Sequence, residues 1–146
     1  MSLETWLAEF YSIPAHDLQF SSDLECIDHC LLKWRGAEPK NTKKHDVAYS
    51  YHRIVETVKA EDDKNSQCNI FDFHTSSCAL CKKYPDTYCQ DANGNSCPFI
   101  RFTGERCDTV RSNNTSPWHA SSIKPQSMIN AITALRVMVE QENLSK

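Results

Sequence analysis

The chain has 146 residues, 40% of them hydrophobic, a net charge of −3 and eight cysteines, with a mean hydropathy of −0.57. That length suits one compact domain, or a small helical domain with a metal-stabilised appendage. No apolar run approaches the roughly 20 residues of a membrane span, and the acidic balance disfavours a phosphate-driven nucleic-acid footprint.

Leu3, Trp6, Leu7 and Phe10 fall at i, i+3, i+4 and i+7, which predicts a short amphipathic helix capped by Ser2 and ended before Pro14. A second helix is expected from Ser22 or Asp23 to Gly36, with Leu24, Ile27, Leu31 and Trp34 on its inner stripe. The polar segment 37–44 carries Pro39 and reads as a loop. Val47, Tyr51, Ile54, Val55 and Val58 follow a helical spacing and predict a third helix, followed by the solvated run Glu61-Asp62-Asp63. A fourth helix is expected from Ser122 or Ile123 to Glu142, with Pro125 in its first turn and Met128, Ile132, Leu135 and Val139 buried. Between the third and fourth helices lies a cysteine-rich region with β-like pieces around Ile70–Phe73 and Phe99–Phe102. The three glycines, Gly36, Gly94 and Gly104, sit where elements should stop.

The expected fold is therefore mainly α: a small domain of about four helices with a zinc-stabilised, cysteine-rich insert containing short β pieces. Residues 1–64 form the helical N-terminal part, 65–120 the insert, and 121–146 a C-terminal helix packing back on the first part, in one domain overall.

No basic cluster precedes an apolar run in the first residues, so no secretory leader is expected and the cytoplasm is the expected compartment. In a reducing compartment an excess of cysteine argues for metal binding over disulfides. Cys78-Ala79-Leu80-Cys81 is a Cys-x-x-Cys pair, which lets two thiolates chelate one ion from a tight turn, and Cys89, Cys97 and Cys107 follow. A structural zinc takes four ligands in a tetrahedron. Cys78, Cys81, Cys97 and Cys107 are the expected set for one structural zinc ion, with the segment 98–106 going out and returning as a hairpin-like loop. Cys89 is the alternate fourth ligand. His74 and Cys68 are weaker candidates. Cys26 and Cys30 share one face of the second helix and read as small hydrophobes on its stripe, the other reading being a second metal site with His29.

Three stretches together carry a resemblance. They are Glu4-Thr5-Trp6-Leu7-Ala8-Glu9-Phe10-Tyr11-Ser12-Ile13-Pro14-Ala15, then Leu24 to Gly36, and the series Cys78-Ala79-Leu80-Cys81, Ser96-Cys97-Pro98, Gly104-Glu105-Arg106-Cys107 and Ser116-Pro117-Trp118. The chain resembles small cysteine-rich proteins encoded by tailed bacteriophages. Where related sequences carry another cysteine three residues before the Cys-Pro, this chain has Gly94, which leaves the fourth ligand open between Cys107 and Cys89. The resemblance implies a cysteine-bound metal and action in the cytoplasm of the host cell; it implies no activity.

The leading functional expectation is a non-enzymatic protein that modulates host machinery or blunts antiviral defence by binding a host or phage protein or a nucleotide signal. Residues 1–30 contain no Lys or Arg, whereas bases crowd the next segment. The candidate binding patch is Lys33, Arg35, Lys40, Lys43, Lys44 and Arg53, with Arg101, Arg106 and Arg111 around the zinc loop. The alternatives are a nucleic-acid-binding zinc module, and a metal-dependent nuclease with His119 as base. No membrane partner is expected, and the helical pattern leaves the oligomeric state open.

Overall fold

The computed structural model describes residues 2–19, 22–50, 53–57, 70–74, 77–107 and 124–146. Among these are helices α1 (Leu3–Phe10), α2 (Asp23–Arg35), α3 (Pro39–Lys44), α4 (Ala79–Lys83), α5 (Pro98–Thr103) and α6 (Gln126–Leu144), and a short 3₁₀ turn at Ala15–Asp17. Strands β1 (Val47–Ser50), β2 (Arg53–Glu56) and β3 (Ile70–Asp72) form one antiparallel sheet in the order β1-β2-β3. The protein is thus mainly helical with a small sheet, and no helix among the described residues is long and apolar enough to cross a membrane.

The first two helices follow the sequence closely. Ser2 and Thr5 form a reciprocal capping box on α1, satisfying backbone donors that a helix start leaves open. Ser22 caps α2 through the Glu25 amide, and its last turn carries Lys33 and Arg35. Leu3, Trp6 and Phe10 bury one face of α1. The Trp6 indole N–H donates to the Gly36 carbonyl at 2.8 Å, fixing α1 against the end of α2. Around Trp6 the rings of Phe10, Phe71 and Phe73 lie at centroid distances of 5.7, 5.3 and 6.1 Å, and Trp34 meets Phe73 edge-on at 4.6 Å. Helix α6 lays Met128, Ile129, Ile132, Leu135 and Val139 into the same core, and Arg136 pairs with Asp28 of α2 at 2.7 Å.

Three sequence expectations are corrected. The expected third helix is the β1–β2 hairpin: Val47 and Ile54 are buried, as the helical stripe required, but on paired strands with Ser50 opposite Arg53. Seven residues apart, the two share a helix face, and they also share a sheet face once the chain turns back, because Ile54 stands opposite Tyr49, two residues on from Val47. The β-branched and aromatic content of the segment, together with pairing to Ile70 and Phe71, decides for strand. Tyr51 and Val58 lie outside the described residues. The polar segment 37–44 is not wholly loop, since Pro39 at the first position of α3 starts a helical turn with Thr42 and Asn41 bonded back to Glu38. The β-like piece at Phe99–Phe102 is helix α5, likewise opened by a proline, Pro98. The expected strand at Ile70–Phe73 is present as β3. Because it pairs with β2, the cysteine-rich segment and the N-terminal part share a sheet.

Candidate metal centre

Six cysteines reach one cavity of about 350 Å³ between α2, α4, α5 and α6. Each is delivered by a different local device. Cys30 sits on the buried face of α2. Cys78 caps the start of α4 and Cys81 lies inside it, so this single turn presents two thiols to the same space. Cys89 and Cys97 stand at the two ends of a tight loop: the Cys97 amide donates to the Cys89 carbonyl at 2.8 Å, and Gln90 pairs with Ser96. The Asp91 carboxylate closes that loop by accepting from the Asn93 and Asn95 amides at 2.9 Å, and Gly94 takes the left-handed conformation the turn needs, at φ +80°. Cys89 itself is left-handed, at φ +56°, a strained conformation for a residue with a Cβ. Cys97 then caps α5, and Cys107 follows the left-handed Gly104 that ends it.

The loop that goes out and returns is therefore 89–97 rather than 98–106, and it brings Cys89 and Cys97 together. Cys78, Cys81, Cys97, Cys107 and the alternate Cys89, the expected ligands, all line the cavity. The sequence reading set Cys30 on an apolar stripe, or in a separate site with His29; its sulfur stands 3.5 Å from that of Cys78. Cys26 is buried on α2 without lining the cavity. His29, considered as its partner, instead bonds the Ile13 carbonyl at 2.6 Å. Cys68 lies outside the described residues, and His74 is an exposed side chain at the cavity's edge, 3.8 Å from Asp72.

Lys33 is the second unexpected member. The sequence placed it in a surface patch, but it is only 1% exposed. Its ammonium donates to the carbonyl and hydroxyl of Ser77 at 3.3 and 3.2 Å and lies 5.2 Å from the Phe73 ring centroid. A buried cation is expensive unless an anion or a polar cradle answers it, and the group that faces it across the cavity is the thiol cluster.

The electrostatics of the thiols are graded. Cys78 is held well below the usual thiol range, chiefly by hydrogen bonds from Cys30 and Cys81, with the Lys33 charge adding to them against burial. Cys30 and Cys81 are pushed up, first by their bonds to Cys78 and then by burial. Burial pushes Cys97 up to about 12. A thiol held low beside a lysine, among neighbours that burial holds high, is a sulfur-rich environment that suits a soft divalent metal, whose binding displaces thiol protons.

As placed, and among the described residues, no three Cys, His, Asp or Glu side chains converge on a point to form a metal-binding group; the thiols line the cavity instead. The donor set still suits a thiophilic metal. All six are sulfur, four are needed for a closed tetrahedral zinc site, and Zn–S bonds of about 2.3 Å put ligand sulfurs about 3.8 Å apart, near the Cys30–Cys78 spacing.

No protein-family model, curated protein or solved structure matches the chain. The site's chemistry thus stands on its own geometry.

The remaining patch residues separate into two groups. Lys44 is paired with Glu9 at 3.0 Å, Arg53 with Asp72 at 2.8 Å, and Arg101 with both Asp23 and Glu142. Arg106 donates to the Thr87 carbonyl at the cavity's edge. Arg111, like His119, lies outside the described residues. Arg35, Lys40 and Lys43 are exposed and have no ion pair among the described residues. They stand at the corner where α2 passes into α3, and Arg35 and Lys40 edge a groove against Asn130 and Val137 of α6.

Proposed function

We propose that the protein is a structural-zinc protein whose metal centre sets the shape of a binding surface, and that it works by binding rather than by catalysis. The observation that carries this reading is the gathering of thiols from α2, α4 and both ends of α5 on one cavity beside a buried lysine. All-thiolate ligation favours a closed zinc ion, which braces a fold, over the open site with bound water that hydrolysis requires. The surface proposed for contact is the corner of Arg35, Lys40 and Lys43, a site for phosphate or carboxylate groups on a nucleotide or an acidic protein face. In line with the resemblance to phage-encoded proteins, the proposed setting is the host cytoplasm and the proposed role is modulation of host machinery or defence.

The test is the metal content of reduced, purified protein by elemental mass spectrometry, together with the count of thiols open to a thiol reagent. Zinc that shields four or more thiols until a chelator is added supports the proposal. Zinc-free protein with every thiol reactive refutes it. For the surface, Lys40→Glu with Lys43→Glu should retain the zinc and abolish binding of a polyphosphate probe. A salt-sensitive shift of duplex DNA by the same corner would instead favour a nucleic-acid-binding role.

A further inference from the structure

One zinc ion with four thiolates leaves two of the six cysteines on this cavity without a task. A tetrahedron of sulfurs about 3.8 Å apart is also small against a space of about 350 Å³, which as a sphere would be about 9 Å across. Six thiolates are the number that two zinc ions take when two sulfurs are shared between them, since each ion then has two bridging and two terminal ligands. The outer sulfurs of such a unit lie roughly 6–7 Å apart, a better match to the cavity's width.

The arrangement of the six supports a shared pair. Cys78 is the shared thiol: its sulfur is 3.5 Å from that of Cys30, and the same short turn presents Cys81 to the cavity. Cys89 and Cys97 are joined through the backbone at the base of one loop. The Cys-x-x-Cys turn supplies two neighbouring thiols to share, while Cys30 comes from α2, Cys89 and Cys97 from the base of one loop, and Cys107 from beyond α5. Two divalent ions among six thiolates carry a formal charge of about −2. Lys33, buried in the wall, and Arg106, at the edge, supply the opposing cations.

We infer that the cavity takes a two-zinc, six-thiolate cluster in which Cys78 and Cys81 bridge the ions while Cys30, Cys97, Cys89 and Cys107 are terminal ligands. This rests on the zinc reading above and extends it by a second ion and by Cys30 and Cys89 as ligands.

Native mass spectrometry of the reduced full chain tests it, because mass gives ions per chain directly. Two zinc ions per chain are expected, falling to one in Cys30→Ser and in Cys89→Ser, and to none in Cys78→Ser. Cobalt substitution gives a second readout that depends on no variant: two bridged cobalt ions couple magnetically and lose paramagnetic resonance intensity relative to one isolated ion. One zinc per chain, unchanged in both Cys30→Ser and Cys89→Ser, overturns the cluster and leaves the structural-zinc reading intact. Zinc-free protein overturns both, as does iron with acid-labile sulfide in place of zinc.

Discussion

Replacing Gly36 by alanine puts a methyl carbon 2.6 Å from Trp6 Cζ2, 2.8 Å from Trp6 Cε2 and 2.7 Å from Phe10 Cγ. Gly36 has φ −59°, so alanine meets no backbone strain there and gains up to about 1 kcal/mol of helix propensity. The contacts are nevertheless with aromatic rings in a packed core, and Trp6 is fully buried and tethered to the Gly36 carbonyl, so it has nowhere to retreat. Overpacking of this kind costs about 1–3 kcal/mol, and lengthening the Trp6 hydrogen bond adds up to about 1 kcal/mol. The net expectation is a loss of about 1–3 kcal/mol, read from urea unfolding followed by tryptophan fluorescence. Gly104→Ala is the counter-case, with open space around the new carbon but φ +76°; it should cost about 1–2 kcal/mol through the backbone alone. Placing Gly36→Ala in a Trp6→Phe background separates the two mechanisms, because the smaller ring relieves the contact and the costs become less than additive. Gly36→Ala at or above wild-type stability, or strict additivity with Trp6→Phe, would refute the steric account.

Lys33→Met should act in opposite directions with and without metal. In chelator-treated protein the variant removes a buried cation answered only by Ser77 and the Cys78 sulfur and should be more stable than wild type by about 1–3 kcal/mol; in zinc-loaded protein it removes a counter-charge and should weaken zinc retention. Urea curves with and without chelator would show the crossing, and a change of the same sign in both would disconnect Lys33 from the thiols. Arg101→Ala cuts the link among α5, α2 and α6 made through Asp23 and Glu142 at 3.1 and 2.9 Å. It should cost about 1 kcal/mol, less at high salt, because the pairs are partly exposed. Burial raises the Asp23 carboxyl, but hydrogen bonds from Tyr84, Lys83 and Arg101 outweigh it and hold the group below its usual range. Its contribution is therefore present above the unfolded value of about 3.9 and is lost as the pH falls through the lower folded value. Wild type should lose its advantage over Asp23→Asn below about pH 4, and a constant gap between the two down to acid unfolding would contradict the assignment.

The helices with strong local signals were legible in the sequence. Ser2, Ser22 and the stripes of Trp6, Trp34 and Ile132 mark α1, α2 and α6 through caps and period alone. The hairpin at 47–56 was not, because Val47 and Ile54, seven apart, fit a helical period and share a sheet face only once the chain turns back, and the pairing that settles the matter comes from Phe71, far along the chain. At the site, five cavity cysteines were visible as a cluster in the sequence. The Asn93-Gly94 turn, read as a stop, was in fact the signal for the loop that joins Cys89 to Cys97. Cys30 and Lys33 lie one turn apart on α2, where a cysteine on an apolar stripe looks like packing and a lysine looks like solvent. Only the docking of α4 on that helix shows otherwise.

The closeness of Cys30 to Cys78 joins points 48 positions apart in the chain. A metal held there closes a ring of backbone that contains the hairpin and β3, and it does so with a bond that can be undone. A covalent crosslink of that span would restrict the unfolded chain permanently. A metal crosslink restricts it only while the ion is bound, so a protease cut inside the ring should leave two fragments that co-migrate under native conditions and part when chelator is added. The tightness of the ring, and with it the lifetime of the folded chain, would follow the concentration of free metal around it.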